Sequence, residues 1–289
     1  MTRPVLLAVM GPTSSGKSAL AEQIALEYDA QLINADAFQA YRGFDIGTGK
    51  PEDRSRYLLL DVADPSEQFG LGEWIRLASG ELAKLYEEGR SAVMVGGTGL
   101  YIRALMEEYK SLGGLPTVGL RQELMEEERR SGSNALFERL QALRPEAAAQ
   151  VDRANPLRVR RALEIALSPA ELIGFSLPPF KKAKLGIEIS ALENKARIKE
   201  RVSSMLERGW IDEVSAIKQS GLHFGSPAMR ALGYKQIWSY LDGSCDLEEM
   251  EEDINRSTAG YAKRQRTWLR SEPAIRMIPF GTSSKMVAF

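Results

Sequence analysis

Cysteine and histidine are almost absent from this chain. Cys245 is the only cysteine and His223 the only histidine in 289 residues. A disulfide framework and a cysteine-based metal site are therefore excluded, and any histidine triad or cluster would hang on one residue. Long apolar runs are missing too. None reaches membrane-spanning length, and no signal-peptide pattern precedes the first apolar segment. The expectation is a soluble, cytoplasmic protein with no membrane partner. There is no internal repeat and no low-complexity tract. Net charge is only −1, which selects no partner by itself. The charge is unevenly spread, however. Residues 246–253 are acidic, and Arg256, Lys263, Arg264, Arg266 and Arg270 follow with no acid among them. Apolar content of 44% and charged content of 27% are globular values.

What is present begins with Val5 to Met10, an apolar run of strand length, feeding Gly11-Pro12-Thr13-Ser14-Ser15-Gly16-Lys17-Ser18. This is the G-x-x-x-x-G-K-[ST] phosphate loop. The glycines let the backbone curl so that successive N–H groups face a phosphate. The helix predicted from Lys17 turns its positive end to the same anion. Lys17 adds a charge, and Ser18 offers a hydroxyl to Mg²⁺. The motif alone says that a di- or triphosphate binds, not what is done with it.

Apolar runs at 31–35, 56–62, 91–95, 184–189 and 274–279 predict further strands. Helical spacing covers 74–88, where Trp74, Leu77, Ala78, Leu82 and Leu85 share a face, and returns at 193–209, 210–220, 227–240 and 247–270. Alternating strands and helices imply an α/β fold, a central parallel sheet flanked by helices. In such sheets ligands sit at the carboxyl ends of strands. Residues 118–168 read as helical throughout, with Pro145 and Pro156 near helix starts. The expected organisation is a core at 1–117, an all-helical insertion at 118–186, and the rest of the core at 187–289.

Asp36 directly follows the second strand and should project near the phosphate loop. A carboxylate there can accept a proton or hold Mg²⁺ through water, though it can also serve as a turn former. Gln39 offers an amide suited to a base edge. The fourth strand ends in Gly96-Gly97-Thr98-Gly99 rather than in the second metal carboxylate usual for nucleotide hydrolases. That favours close backbone approach to a ligand. Thr98 suits either a substrate or a helix N-cap, and Tyr101 either core or site. Arg158 and Arg161 share a helix face after Asn155-Pro156. Lys263 to Arg270 interleaves basic residues with Trp268, a mix suited to phosphates and base stacking.

These pieces together resemble the tRNA dimethylallyltransferases, also called tRNA isopentenyltransferases. The matching stretches are 11–18, 34–51, 95–101, 155–164, 227–236 and 261–270, in family order and over nearly the whole chain. The resemblance implies transfer of the five-carbon group of dimethylallyl diphosphate to N6 of the adenosine 3′ to the anticodon, with diphosphate released. It implies that Thr13 to Ser18 face the prenyl donor with Mg²⁺ on Ser18, that Thr13 and Lys17 are catalytic, and that Asp36 is the general base. It further implies tRNA contacts from Asp36, Ala37, Phe38, Gln39, Thr98, Arg121, Leu157, Arg158, Val159, Arg160, Arg161, Arg230, Gly233, Tyr234, Lys235, Lys263, Arg264, Gln265, Arg266, Thr267, Trp268 and Arg270. Nothing demands more than a monomer. The chain departs from the family where Asn34 and Ala37 replace frequent serines, where Arg56-Tyr57 stands for a His-His pair, and near Ser168-Pro169. Two other enzymes also fit the phosphate loop: a small-molecule kinase, and a prenyltransferase acting on free adenosine phosphates. A non-catalytic RNA-binding protein is the third alternative. The Lys-Arg-Gln-x-Thr-Trp stretch favours tRNA.

Overall fold

A computed structural model describes residues 3–109, 118–167 and 175–287. It divides into two compact units. One joins Met1–Glu108 to Ser176–Phe289, and the other is Tyr109–Phe175.

The larger unit is built on six parallel strands, β1 (Val5–Met10), β2 (Gln31–Asn34), β3 (Tyr57–Leu58), β4 (Ala92–Val95), β5 (Lys181–Glu188) and β6 (Ile275–Pro279). Their order across the sheet is β3-β2-β4-β1-β5-β6. β1, β2 and β4 are buried almost end to end, as expected when helices cover both faces of a parallel sheet. α1 (Lys17–Glu27) packs Leu20, Ala21, Ile24 and Ala25 onto that surface. The register sets Val9 opposite Val95, and Val95 opposite Asn34. Three strands therefore end level with one another, and the loops beginning at Gly11, Ala35 and Gly96 emerge at one edge.

The helices α2 (Leu71–Glu87), α3 (Gly99–Met106), α7 (Ala191–Glu207), α8 (Trp210–Gln219), α9 (Tyr234–Leu241) and α10 (Leu247–Arg270) complete this unit. Trp74 of α2 is fully buried and stacked on Tyr101 at 5.0 Å. Its indole N–H donates to the Asn34 carbonyl at 2.8 Å. Tyr101 is thus a core residue, and burial pushes its hydroxyl pKa up. The capping box of Asp246 and Glu249 starts α10.

Several expected boundaries move. The third strand shortens to Tyr57–Leu58. The helix expected over 227–240 is a 3₁₀ turn at Pro227–Arg230 followed by α9. Ala231 is extended and Gly233 takes φ of 89°, so the chain turns between the two.

In the smaller unit, α4 (Val118–Leu143) is interrupted at Gly132, and α5 (Pro145–Ala149) and α6 (Pro156–Leu167) begin at the prolines. Leu124, Leu136, Leu140, Val159 and Leu163 form its core. The expected end of the insertion at 186 falls inside β5, whose Lys184 is buried between Glu107 and Glu272. The first three residues of β5, Lys181 to Ala183, are exposed, so the buried run begins only at Lys184. Ser168-Pro169 lies outside the described residues. Among the described residues, no helix is long and apolar enough to cross a membrane.

Candidate active site

The phosphate loop is closed by tight backbone geometry. Gly16 has φ of 76° and Ser14 of 60°, the left-handed region that a serine enters at a cost. The Ser15 N–H donates to the Pro12 carbonyl at 3.2 Å. The Ser14 and Ser15 hydroxyls are buried with no hydrogen-bond partner among the described residues. Lys17 reaches back over the loop, 3.5 Å from the Pro12 carbonyl. Burial pulls its ammonium down to about 8; the charge of Arg201 adds to the drop and Asp36 opposes it. Ser18 is exposed at the start of α1.

Asp36 stands two residues beyond the end of β2. Its Oδ1 accepts the Phe38 N–H at 3.0 Å and its Oδ2 accepts the Gly97 N–H at 3.2 Å. Asn34 spans its backbone, accepting from Asp36 N at 2.9 Å and donating to Asp36 O at 3.0 Å. Asparagine thus supplies the local hydrogen bonding where the resemblance expects serine. Gly97 has to be glycine for close approach. A Cβ there would fall 2.7 Å from Asp36 Oδ2 and 2.8 Å from Gln265 Nε2. Thr98 occupies the N-cap position of α3 without capping it, and its hydroxyl instead accepts the Ala37 N–H at 3.0 Å.

Two cavities meet at Asp36. One of about 100 Å³ is bounded by Lys17, Ser18, Glu22, Tyr57 and Arg201. The other, about 280 Å³, has apolar walls from Phe38, Val202, Met205, Trp210 and Leu232. Arg230 and Arg264 also line the second one, and both are exposed. Thr13, Asp36, Thr48, Arg201 and Tyr261 border both. One is lined by the 11–18 loop and the Lys17 and Arg201 cations, the other has apolar walls, and a carboxylate lies between.

Arg201 is the residue that sequence reasoning missed. Its guanidinium makes no hydrogen bond or ion pair with another described residue. Its guanidinium lies against Gly49, where a Cβ would come within 2.0 Å of Nη2. Burial lowers its pKa, the Asp36 charge counters this, and Arg208 adds to the drop. In sequence it sits among Lys195, Arg197 and Lys199, and nothing local separates it from a solvated helix face.

The basic-aromatic run of α10 splits between two faces. Lys263, Arg264, Thr267 and Arg270 are exposed. Gln265 is buried and joins two loops, donating to the Gly97 carbonyl at 3.0 Å and accepting the Thr13 N–H at 2.7 Å. Tyr261 donates to the same carbonyl at 3.0 Å. Arg266 donates to Asn194 Oδ1 at 2.6 Å, and Asn194 donates to the Thr13 carbonyl at 2.8 Å. Trp268 is covered by Arg103, 4.0 Å above its ring, and donates to Glu272 at 3.1 Å. Gln265, Arg266 and Trp268 therefore brace the site instead of presenting a stacking surface.

Other expected contacts are corrected by burial. Gly233 and Tyr234 are enclosed, and Val159 is core. Gln39 spends its amide N–H groups on the Thr48 and Gly49 carbonyls, at 3.0 and 3.1 Å. It shapes the cavity wall, so base-edge donation from that nitrogen is not on offer. Lys235 lies 4.9 Å from the centre of the Phe224 ring. Within the helical unit, Arg121 and Arg161 pair with buried Glu164, and Arg160 pairs with Glu128. Leu157 and Arg158 are exposed there.

Similarity to known proteins agrees with this geometry. The chain matches the IPP transferase family model over residues 39–272 and the Isopentenyl transferase model over residues 4–57. A tRNA dimethylallyltransferase of Geobacter sulfurreducens is 38% identical, aligned over 95% of this chain and 92% of the relative. The enzyme of the same name from Thermomicrobium roseum is 39% identical over 93% of this chain and 84% of its own. The crystal structure of the full-length tRNA isopentenylpyrophosphate transferase from Bacillus halodurans superposes with a TM-score of 0.70 at 34% identity. That match covers 96% of this chain and 90% of that one. With its family match, its relatives and the carboxylate between a lysine-lined cavity and an apolar one, the chain belongs to the IPP transferase family.

Proposed function

We propose that this chain transfers the dimethylallyl group of dimethylallyl diphosphate to N6 of the adenosine 3′ to the anticodon in tRNA, releasing diphosphate. The observation that carries the reading is the placement of Asp36 at the junction of the two cavities. The phosphate loop, Lys17 and Arg201 take the donor's diphosphate. The first carbon of the prenyl group then lies beside Asp36, with its apolar tail in the larger cavity. The target adenine leaves the anticodon stack and enters past Arg230 and Arg264. The carbon–oxygen bond of the donor breaks as the N6–carbon bond forms. Asp36 accepts the N6 proton, and the electron pair leaves on diphosphate. Charge developing on that leaving group meets backbone N–H groups and two cations already in place.

Mg²⁺ is the expected metal. Among the described residues no group of three or more acidic, histidine or cysteine side chains could hold an ion alone. The exposed Ser18 hydroxyl fits the shared type of site, in which diphosphate oxygens and water fill the rest of the shell. When bound, Mg²⁺ would neutralise charge on the departing diphosphate. The exposed face of α10 offers itself to RNA, and so, within the smaller unit, do Leu157 and Arg158 of α6. We take the enzyme to act as a cytoplasmic monomer.

Labelled dimethylallyl diphosphate and unmodified tRNA should give labelled tRNA with the purified protein. Label passing from γ-labelled ATP to a small molecule, with none from the prenyl donor, would replace this reading with a kinase. Transfer to AMP but not to tRNA would make the acceptor a free nucleotide.

Two further outcomes follow from the charges. Lys263→Ala with Arg264→Ala should lower tRNA affinity and reduce the slope of log affinity against log salt by about 2, one for each lost phosphate contact. A slope equal to that of the parent protein would return this face to ordinary solvation. Lys17 carries its charge below about pH 8 and loses it above. A bound diphosphate favours the charged form and raises that pKa. Donor affinity should therefore be level below about 8 and fall by up to about tenfold per pH unit above it. Titrating donor binding up to about pH 9.5 checks this, and Lys17→Arg should flatten the profile because guanidinium stays charged.

A further inference from the structure

Trp210, the first residue of α8, lines the apolar cavity and is only 2% exposed. Its indole has almost no freedom. A Cβ at Gly47 would lie 2.1 Å from the indole nitrogen, and one at Gly233 would lie 2.0 Å from the six-membered ring. Backbone therefore presses on the ring from two segments. Tyr234 meets it edge-on, with centroids 5.8 Å apart and planes at 75°.

The surrounding hydrogen bonds fix those segments. The Tyr234 hydroxyl donates to Glu213 Oε1 at 2.6 Å. Glu213 Oε2 accepts the N–H groups of Asp45 at 2.9 Å and Ile46 at 2.7 Å. One carboxylate, three residues along α8 from Trp210, thus ties down both the loop carrying Gly47 and the helix beginning after Gly233. Met205, by contrast, is a wall that can yield, since an unbranched thioether repacks easily. Trp210 cannot turn aside without moving backbone.

We propose that Trp210 is a specificity-determining residue, a rigid stop that limits the donor to a five-carbon prenyl group. The inference rests on the reading of the cavity as the prenyl site. With the diphosphate held by the phosphate loop and Arg201, the first carbon is pinned near Asp36. Extra isoprene length carried along this cavity then meets the indole, which cannot move aside. Overfilling a packed site forces strain on whatever wall is least able to move.

The test compares kcat/KM for dimethylallyl and geranyl diphosphates on unmodified tRNA. The parent protein should strongly prefer the five-carbon donor. Trp210→Ala should raise the geranyl-to-dimethylallyl ratio by at least about tenfold. Trp210→Phe keeps an aromatic ring against Tyr234 and should shift the ratio the same way by less. It decides the matter should the alanine variant lose its circular dichroism signature. A ratio unchanged in the folded variants overturns the proposal, as does equal use of both donors by the parent. If the parent transfers neither donor to tRNA, the reading of the site itself fails, and this inference with it.

Discussion

Asp36→Ala is expected to cut kcat for prenyl transfer by about 10²–10⁴-fold, the usual contribution of a positioned general base, while tRNA still binds. The exocyclic amine of adenine is a weak nucleophile, and its proton has to leave as the new bond forms. Asp36 is the carboxylate shared by both cavities, and two backbone N–H groups aim it. Removing the side chain leaves the phosphate loop and the exposed face of α10 in place, so binding and turnover should separate. Asp36→Asn is a harsher change than its shape suggests. Both carboxylate oxygens accept from backbone, and an amide would set an NH₂ group against one of those donors. Single-turnover measurement with saturating donor and tRNA reads the effect directly. A rate near that of the parent protein would remove Asp36 from the role of base.

Arg201→Ala should raise KM for the prenyl donor by about 10–100-fold, in line with losing charge-assisted hydrogen bonds worth about 1.5–3 kcal/mol. The guanidinium borders both cavities and has no hydrogen-bond or ion-pair partner among the described residues. Enclosing such a cation is costly, and an anion brought between it and Lys17 relieves both. Arg201→Lys should recover only part of the loss, because an ammonium cannot offer a planar pair of N–H groups. Affinity for tRNA without donor should change far less than KM for the donor. Equal losses for the two substrates would mean that Arg201 supports the general shape of the cavity and does not grip diphosphate.

Local pattern made much of the site readable. The phosphate loop is contiguous, and its chemistry depends on backbone curl and a helix start, both encoded within residues 5–18. Asp36 was readable because it directly follows an apolar strand. The Gly96-Gly97 pair signalled close approach, and the reason is now visible: Asp36 and Gln265 leave no room for a side chain at Gly97. The basic run of α10 was harder. Eight adjacent residues look like one surface, but a helix distributes them around its circumference. Which face is inside depends on what packs against it.

By itself, then, the sequence determined the parallel α/β core, the glycine-rich loop after β1 and the carboxylate near it, because each rests on short-range periodicity or a contiguous motif. Only the tertiary structure decided that Arg201, 184 positions beyond Lys17, lines the same cavity. It also decided that Gln265 bridges Thr13 to Gly97, and that Trp210 is locked between two distant glycines. Those contacts join segments far apart in the chain. Their geometry is set by packing around the shared core, and no local pattern carries that information.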